Sequence, residues 1–146
     1  MPASIAAPSP SITAPQASRG LRIALWVAQA LLAVAFIGAG LMKSTVPIEE
    51  LAKNMSWVPR YSPGMVRFIG ASELLGGVGL LLPALTRILP VLTPVAASAL
   101  TLVMVLAAGE HLTNGEAPMV VSNLVLGGLA AFIAWGRFTK APIAPR

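Results

Sequence analysis

Four apolar stretches dominate this chain: residues 21–42, 65–82, 88–109 and 117–136. Each is close to the ~20 residues that a helix rising 1.5 Å per residue needs to cross ~30 Å of hydrocarbon. Arg22 interrupts the first near its start, and Arg67 and Glu73 lie within the second; the third and fourth carry no charge. In lipid each backbone N–H and C=O must find its partner within the segment, so each stretch is expected to be helical. The sequence therefore predicts an all-α fold, a four-transmembrane-helix bundle with both termini on the same, cytoplasmic side.

Composition excludes the alternatives. Only 10% of residues are charged and 56% are apolar, whereas a soluble domain carries ~25% charged residues and a disordered chain is poor in apolar ones. The net charge of +5 is spread without a basic run, so it points to membrane edges and not to nucleic acid. The chain has no Cys and one His. This removes thiol relays, cysteine-bound clusters and bis-histidine haem ligation within one chain. A redox role would need a cofactor or subunit from elsewhere.

Around the four-helix domain of residues 21–137, residues 1–20 hold Pro2, Pro8, Pro10 and Pro15 and read as a flexible Pro/Ser/Ala-rich tail. No basic segment precedes an apolar one there, which argues against a cleaved signal peptide. Residues 138–146 form a C-terminal tail. Residues 82–90 and 110–116 read as tight turns, whereas residues 43–64 form a longer link. Within that link, Pro47 followed by Glu49 and Glu50 looks like the start of a short interfacial helix, and Trp57 and Tyr61 suit the headgroup layer; the alternative is a plain surface connector. Six basic residues (Arg19, Arg22, Arg87, Arg137, Lys140, Arg146) fall on the side of the termini and four (Lys43, Lys53, Arg60, Arg67) on the other. The positive-inside rule then favours cytoplasmic termini. All five acids, Glu49, Glu50, Glu73, Glu110 and Glu116, belong to the outer half.

An ionisable group within a span costs roughly 2.5–3.5 kcal/mol on insertion scales and rarely lies there without a partner. Glu73 shares a helical stripe with Gly70, Gly76, Gly77 and Leu80, the kind of small-residue face along which membrane helices meet. Lys43 shares one with Gly40, Phe36 and, further off, Gln29. His111 stands above Ala107, Ala108, Met104 and Thr101, and Asn123 continues into Gly127, Ala130, Ala131 and Ala134. The expected site is a polar pocket opening to the outer face, with Glu73 at its floor and Lys43, His111 and Asn123 around it. Arg67, about 120° round the helix from Glu73, is expected to serve the interface. The competing reading makes Glu73 and Lys43 a packing lock, His111 an ordinary helix-end residue and Asn123 an interhelical hydrogen-bonding group. No nucleophile–base pair, metal cluster or phosphate loop is visible, and Gly76-Gly77-Val78-Gly79 reads as helix packing.

Several segments resemble the DoxX-like family of small four-helix membrane proteins. They are Ala35-Phe-Ile-Gly-Ala-Gly-Leu-Met-Lys43, Met55-Ser-Trp-Val58, the block from Arg67 through Glu73 to Pro83, Leu92-Thr-Pro-Val-Ala-Ala97, Glu110-His111 and Trp135-Gly-Arg137. The resemblance spans residues 21–137. It implies a four-helix integral membrane fold, with the family's Lys, Glu and His positions at Lys43, Glu73 and His111. Some relatives are linked to a thiosulfate:quinone oxidoreductase and others to an oxidative-stress complex with superoxide dismutase and a sulfurtransferase. The expected function is an accessory or quinone- or lipid-binding component of a membrane redox or oxidative-stress system. It has no intrinsic cofactor, quinone as candidate ligand, and the lipid bilayer, redox subunits or a second copy as partners. The expected location is the bacterial cytoplasmic membrane. Two alternatives stay open: a quinone-coupled oxidoreductase with Glu73 and His111 as catalytic candidates, and a small-molecule or proton-coupled transporter.

Overall fold

A computed structural model describes residues 17–146; most of the expected N-terminal tail lies outside them. Six helical elements precede a final turn: α1 (Arg19–Thr45), α2 (Ile48–Asn54), a 3-10 turn (Val58–Arg60), α3 (Pro63–Thr86), α4 (Leu92–Thr113) and α5 (Ala117–Trp135). A wider π-helical turn, Gly136–Lys140, extends α5. No strand occurs among the described residues. Four helices are long and apolar enough to cross a membrane: α1, α3, α4, and α5 with its turn.

The helices begin where their chemistry allows. Ser18 caps α1 by accepting from the Leu21 N–H at 3.2 Å, so the helix starts at Arg19, two residues before the expected start. Ser62 caps α3 through the Met65 N–H at 3.3 Å, with Pro63 in the first turn, where a missing donor costs nothing. Pro83, expected in the turn after the second span, is instead buried inside α3. A proline near a helix end loses one bond without breaking the remaining turn. The third span begins at Leu92 and not at residue 88. Arg87 (φ 59°) and Leu89 (φ 48°) take left-handed backbone, and Pro90 disfavours helix at the residue before it. Hydropathy could not register this, because Ile88 and Leu89 are as apolar as the helix they precede.

The bundle is antiparallel. α1 packs along α3 and α4 along α5; α3 meets α4, and α1 meets α5. Leu32, Phe36, Leu80, Leu100, Met104 and Ile133 form the main core with buried alanines. Outward faces are apolar as well, with Val34 73%, Leu75 71% and Phe68 68% exposed. Such all-round apolarity belongs to helices whose outer solvent is lipid. Ala131, expected on the inner face of α5, is exposed there, and Ile133 is buried instead. A second small core of Leu51, Val58 and Val66 seats α2 and the 3-10 turn over one end of the bundle. At the other end, the start of α1, the α3–α4 turn and the C-terminal segment meet: Arg146 N–H donates to the Arg87 carbonyl and Arg87 Nε to the Ala144 carbonyl.

Candidate functional site

Glycine creates the first wall of the site. A Cβ on Gly40 would stand 2.5 Å from the Leu74 nitrogen and 2.7 Å from the Gly70 carbonyl oxygen, and one on Gly70 would stand 2.7 Å from Lys43 Cβ. Only hydrogen at both positions lets α1 and α3 touch backbone to backbone. That contact brings the last turn of α1 beside the middle of α3. Lys43 Nζ donates to both carboxylate oxygens of Glu73, at 2.7 Å to Oε1 and 2.5 Å to Oε2. Both side chains are buried, 11% and 5% exposed. The ammonium also lies 5.8 Å from the Trp57 ring centroid, within cation–π range. Arg67 Nη1 donates to the Lys43 carbonyl and satisfies an orphan acceptor at the α1 C-terminus.

The opposite wall comes from α4 and α5, and the roof from α2 and the link that follows. His111, in the last turn of α4, is 7% exposed and its Nδ1 lies 2.5 Å from Glu116 Oε2. Glu116 also accepts from Ser56 Oγ at 2.6 Å and from Arg60 Nη1 and Nη2 at 3.3 and 3.2 Å. Arg60 Nε donates to Glu110 Oε1 at 2.8 Å, and Tyr61 O–H donates to Glu110 Oε2 at 2.8 Å. The link after α1 is thereby tied to the α4–α5 turn by charge-assisted bonds, about twice as strong as neutral ones. Sequence reasoning did not find this network; it placed Trp57 and Tyr61 in the headgroup layer as separate aromatics.

Electrostatics follow from these contacts. The Arg60 guanidinium, then the Ser56 hydroxyl and His111, hold the Glu116 carboxyl down at about 2. Arg60 is pushed up, chiefly by its bonds to Glu116, and Tyr61 is pushed up by donating to Glu110. A Glu116 carboxylate can only accept, so it fixes the proton of a neutral His111 on Nδ1. Nε2 makes no hydrogen bond among the described residues.

These walls enclose a cavity of about 790 Å³ lined by all four sequence-predicted residues, Lys43, Glu73, His111 and Asn123. Trp57, Tyr61 and Glu110 also line it, with an apolar remainder that includes Met65, Phe68, Met104 and Met119. Its volume is in the ~300–1,000 Å³ range of small-molecule sites. Asn123 Nδ2 is buried with no hydrogen-bond partner among the described residues, an unmade bond that costs roughly 1–3 kcal/mol. Among the described residues no three His, Cys, Asp or Glu side chains are grouped to hold a metal ion.

A family model described as the DoxX-like family matches residues 27–133, most of the chain, with residues from all five helices that line this cavity. The chain belongs to the DoxX-like family. Searches of curated proteins and of solved structures returned no significant match. Within this DoxX-like protein, the matched stretch contains Lys43, Glu73, His111, Asn123 and the Arg60–Glu110–Glu116 network.

A second polar cluster that sequence reasoning missed lies at the far end of the bundle. Gln29, fully buried, donates through Nε2 to the Leu80 carbonyl at 2.8 Å and accepts from Arg137 Nε at 2.6 Å. Arg137, counted among the topology-setting charges and part of the Trp135-Gly-Arg137 segment, is 5% exposed. The signal available was the isolated Gln29 in an apolar span, which had been read as a distant member of the Lys43 stripe.

Proposed function

We propose that this DoxX-like protein is an accessory, ligand-holding component of a membrane redox or oxidative-stress system, and that its cavity takes the head group of a membrane-borne quinone. One observation carries the reading: an apolar-walled cavity of about 790 Å³ with a buried ion pair, an imidazole and an unpartnered amide donor on its walls. A quinone ring is apolar on its faces and needs hydrogen-bond donors only at its two carbonyl oxygens. Asn123 Nδ2 is a donor in want of an acceptor, and the Lys43 ammonium is a charged donor. Trp57 and Phe68 offer flat apolar surface for the ring. The proposed setting is the bacterial cytoplasmic membrane with cytoplasmic termini, the cavity opening on the outer side, which follows the excess of basic residues at the termini.

A second reading, quinone-coupled oxidoreductase, draws on the His111–Glu116 pair. With the proton held on Nδ1, Nε2 suits acceptance of a proton from a quinol hydroxyl. The two electrons of that oxidation would pass to an acceptor on a partner subunit, and the proton of the second hydroxyl to water at the mouth of the cavity.

Mass spectrometry and an absorption spectrum of the gently solubilised protein test both readings. The expected result is co-purified quinone, and quenching of Trp57 fluorescence when quinone is returned to stripped protein carrying Trp26→Phe and Trp135→Phe. Absence of quinone together with unchanged Trp57 emission would overturn the binding reading. Dye-linked quinol turnover lost in His111→Phe, with binding retained, would favour the enzyme over the accessory role.

A further inference from the structure

Arg137 is a buried cation with no counter-charge among the described residues. Nε donates to Gln29 Oε1 and Nη1 to the Ala141 carbonyl at 3.2 Å, both neutral acceptors. Nη2 is buried with no hydrogen-bond partner among the described residues. The guanidinium lies over the Trp26 ring, 5.1 Å from its centroid, and the charged neighbour acting on it is Arg22, another cation. None of the five acids can help: Glu49 and Glu50 are on α2, Glu73 is paired with Lys43, and Glu110 and Glu116 are at the α2 end. Taking a charge out of water without a partner costs several kcal/mol, a cost that an anion beside Arg137 would offset.

A place for one is present. Arg137 lines a second cavity of about 420 Å³ between the start of α4 and the C-terminal segment. Its other walls are aliphatic, proline or aromatic, among them Leu89, Val91, Phe138 and Ile143. A planar guanidinium with an unpartnered N–H matches a phosphate oxygen, and an apolar wall beside it matches the first methylenes of an acyl chain. We propose that this cavity binds a phosphate oxyanion, with Arg137 as its principal ligand, the apolar wall favouring the headgroup of an anionic phospholipid as the source. This site is separate from the quinone cavity and does not depend on it.

The test uses the full chain in detergent, stripped of lipid. Phosphatidylglycerol, phosphatidylcholine and inorganic phosphate are added in turn, with native mass spectrometry and thermal unfolding as readouts. Phosphatidylglycerol should be retained roughly fivefold over phosphatidylcholine, about what one basic residue contributes toward an anionic lipid, and should raise Tm. Arg137→Gln should abolish the preference. Lys140→Gln, which removes an exposed cation from the same end, should keep it. Where Arg137→Gln does not fold, Arg137→Lys replaces it; loss of the planar fork should weaken the preference while Lys140→Gln does not. Stabilisation by inorganic phosphate that also displaces lipid would support the oxyanion site with free phosphate as the source. Equal retention of both lipids with no response to phosphate would overturn the proposal, as would Lys140→Gln losing as much as the Arg137 variant.

Discussion

Lys43 Nζ sits between both carboxylate oxygens of Glu73, 30 residues away in sequence, and the pair closes one wall of the cavity. Neither group is more than 11% exposed, so each is the other's principal compensation for leaving water. Removing one partner strands a buried charge and is expected to cost about 3 kcal/mol. Glu73→Gln and Lys43→Met should each lower thermal stability by that order, and Lys43→Met with Glu73→Leu should recover most of it. Ligand binding should stay lost in the double variant. Recovery of both stability and binding would mean that the pair is only a packing lock.

Close approach of α1 and α3 is the geometric condition for that pair. Gly40→Ala drives a methyl into the α3 backbone at 2.5 Å, and backbone cannot swing aside as a side chain does. The expected loss is about 1–3 kcal/mol, the usual range for overpacking, with weakened quinone binding as the pair separates. Gly38→Ala is the control: nothing lies within 4 Å of its Cβ, and a mid-helix alanine should leave stability unchanged or slightly raised. Equal Tm for the two variants would show that the helices are not in contact at Gly40.

Much of this arrangement was legible in the sequence, for a definite reason. An acid in a span is expensive enough to demand a partner, and small-residue stripes tell which face it turns inward; that sufficed to bring Lys43, Glu73, His111 and Asn123 to one cavity. Arg60, Glu110 and Glu116 were not legible as a network, because exposed charges in turns bear little cost alone and pair across 50 or more residues. Arg137 was missed because hydropathy treats a cation at a span's edge as solvated, whereas the π-helical turn folds it inward against Gln29.

Acid should loosen the roof of the cavity within a set window. Glu116 has a native pKa of about 2 against an ordinary 4.5. A depressed carboxylate pKa contributes stability that is complete above the ordinary value and disappears as pH falls toward the native one. Contacts of Glu116 with Arg60, Ser56 and His111 should therefore weaken between about pH 4.5 and 2. Hydrogen exchange across α2 and residues 55–62 should rise in that interval before the spanning helices respond. Glu116→Gln should diminish the pH dependence and leave exchange elevated at neutral pH. An identical acid response in wild type and Glu116→Gln would assign the loosening to another group.

Topology is testable on the native background, since the chain has no cysteine. Glu49 on α2 and Ile88 in the α3–α4 turn are both exposed and lie at opposite ends of the bundle. Glu49→Cys leaves the Lys/Arg count at its end untouched, and Ile88→Cys replaces one apolar residue, so neither should alter the charge bias that orients the protein. In intact cells an impermeant maleimide should label Glu49→Cys, and Ile88→Cys only after lysis. The reverse pattern would turn the cavity lined by Lys43 and Glu73 toward the cytoplasm. It would also carry the Arg137 cavity to the outer leaflet, where a matching anionic lipid would have to be found for it.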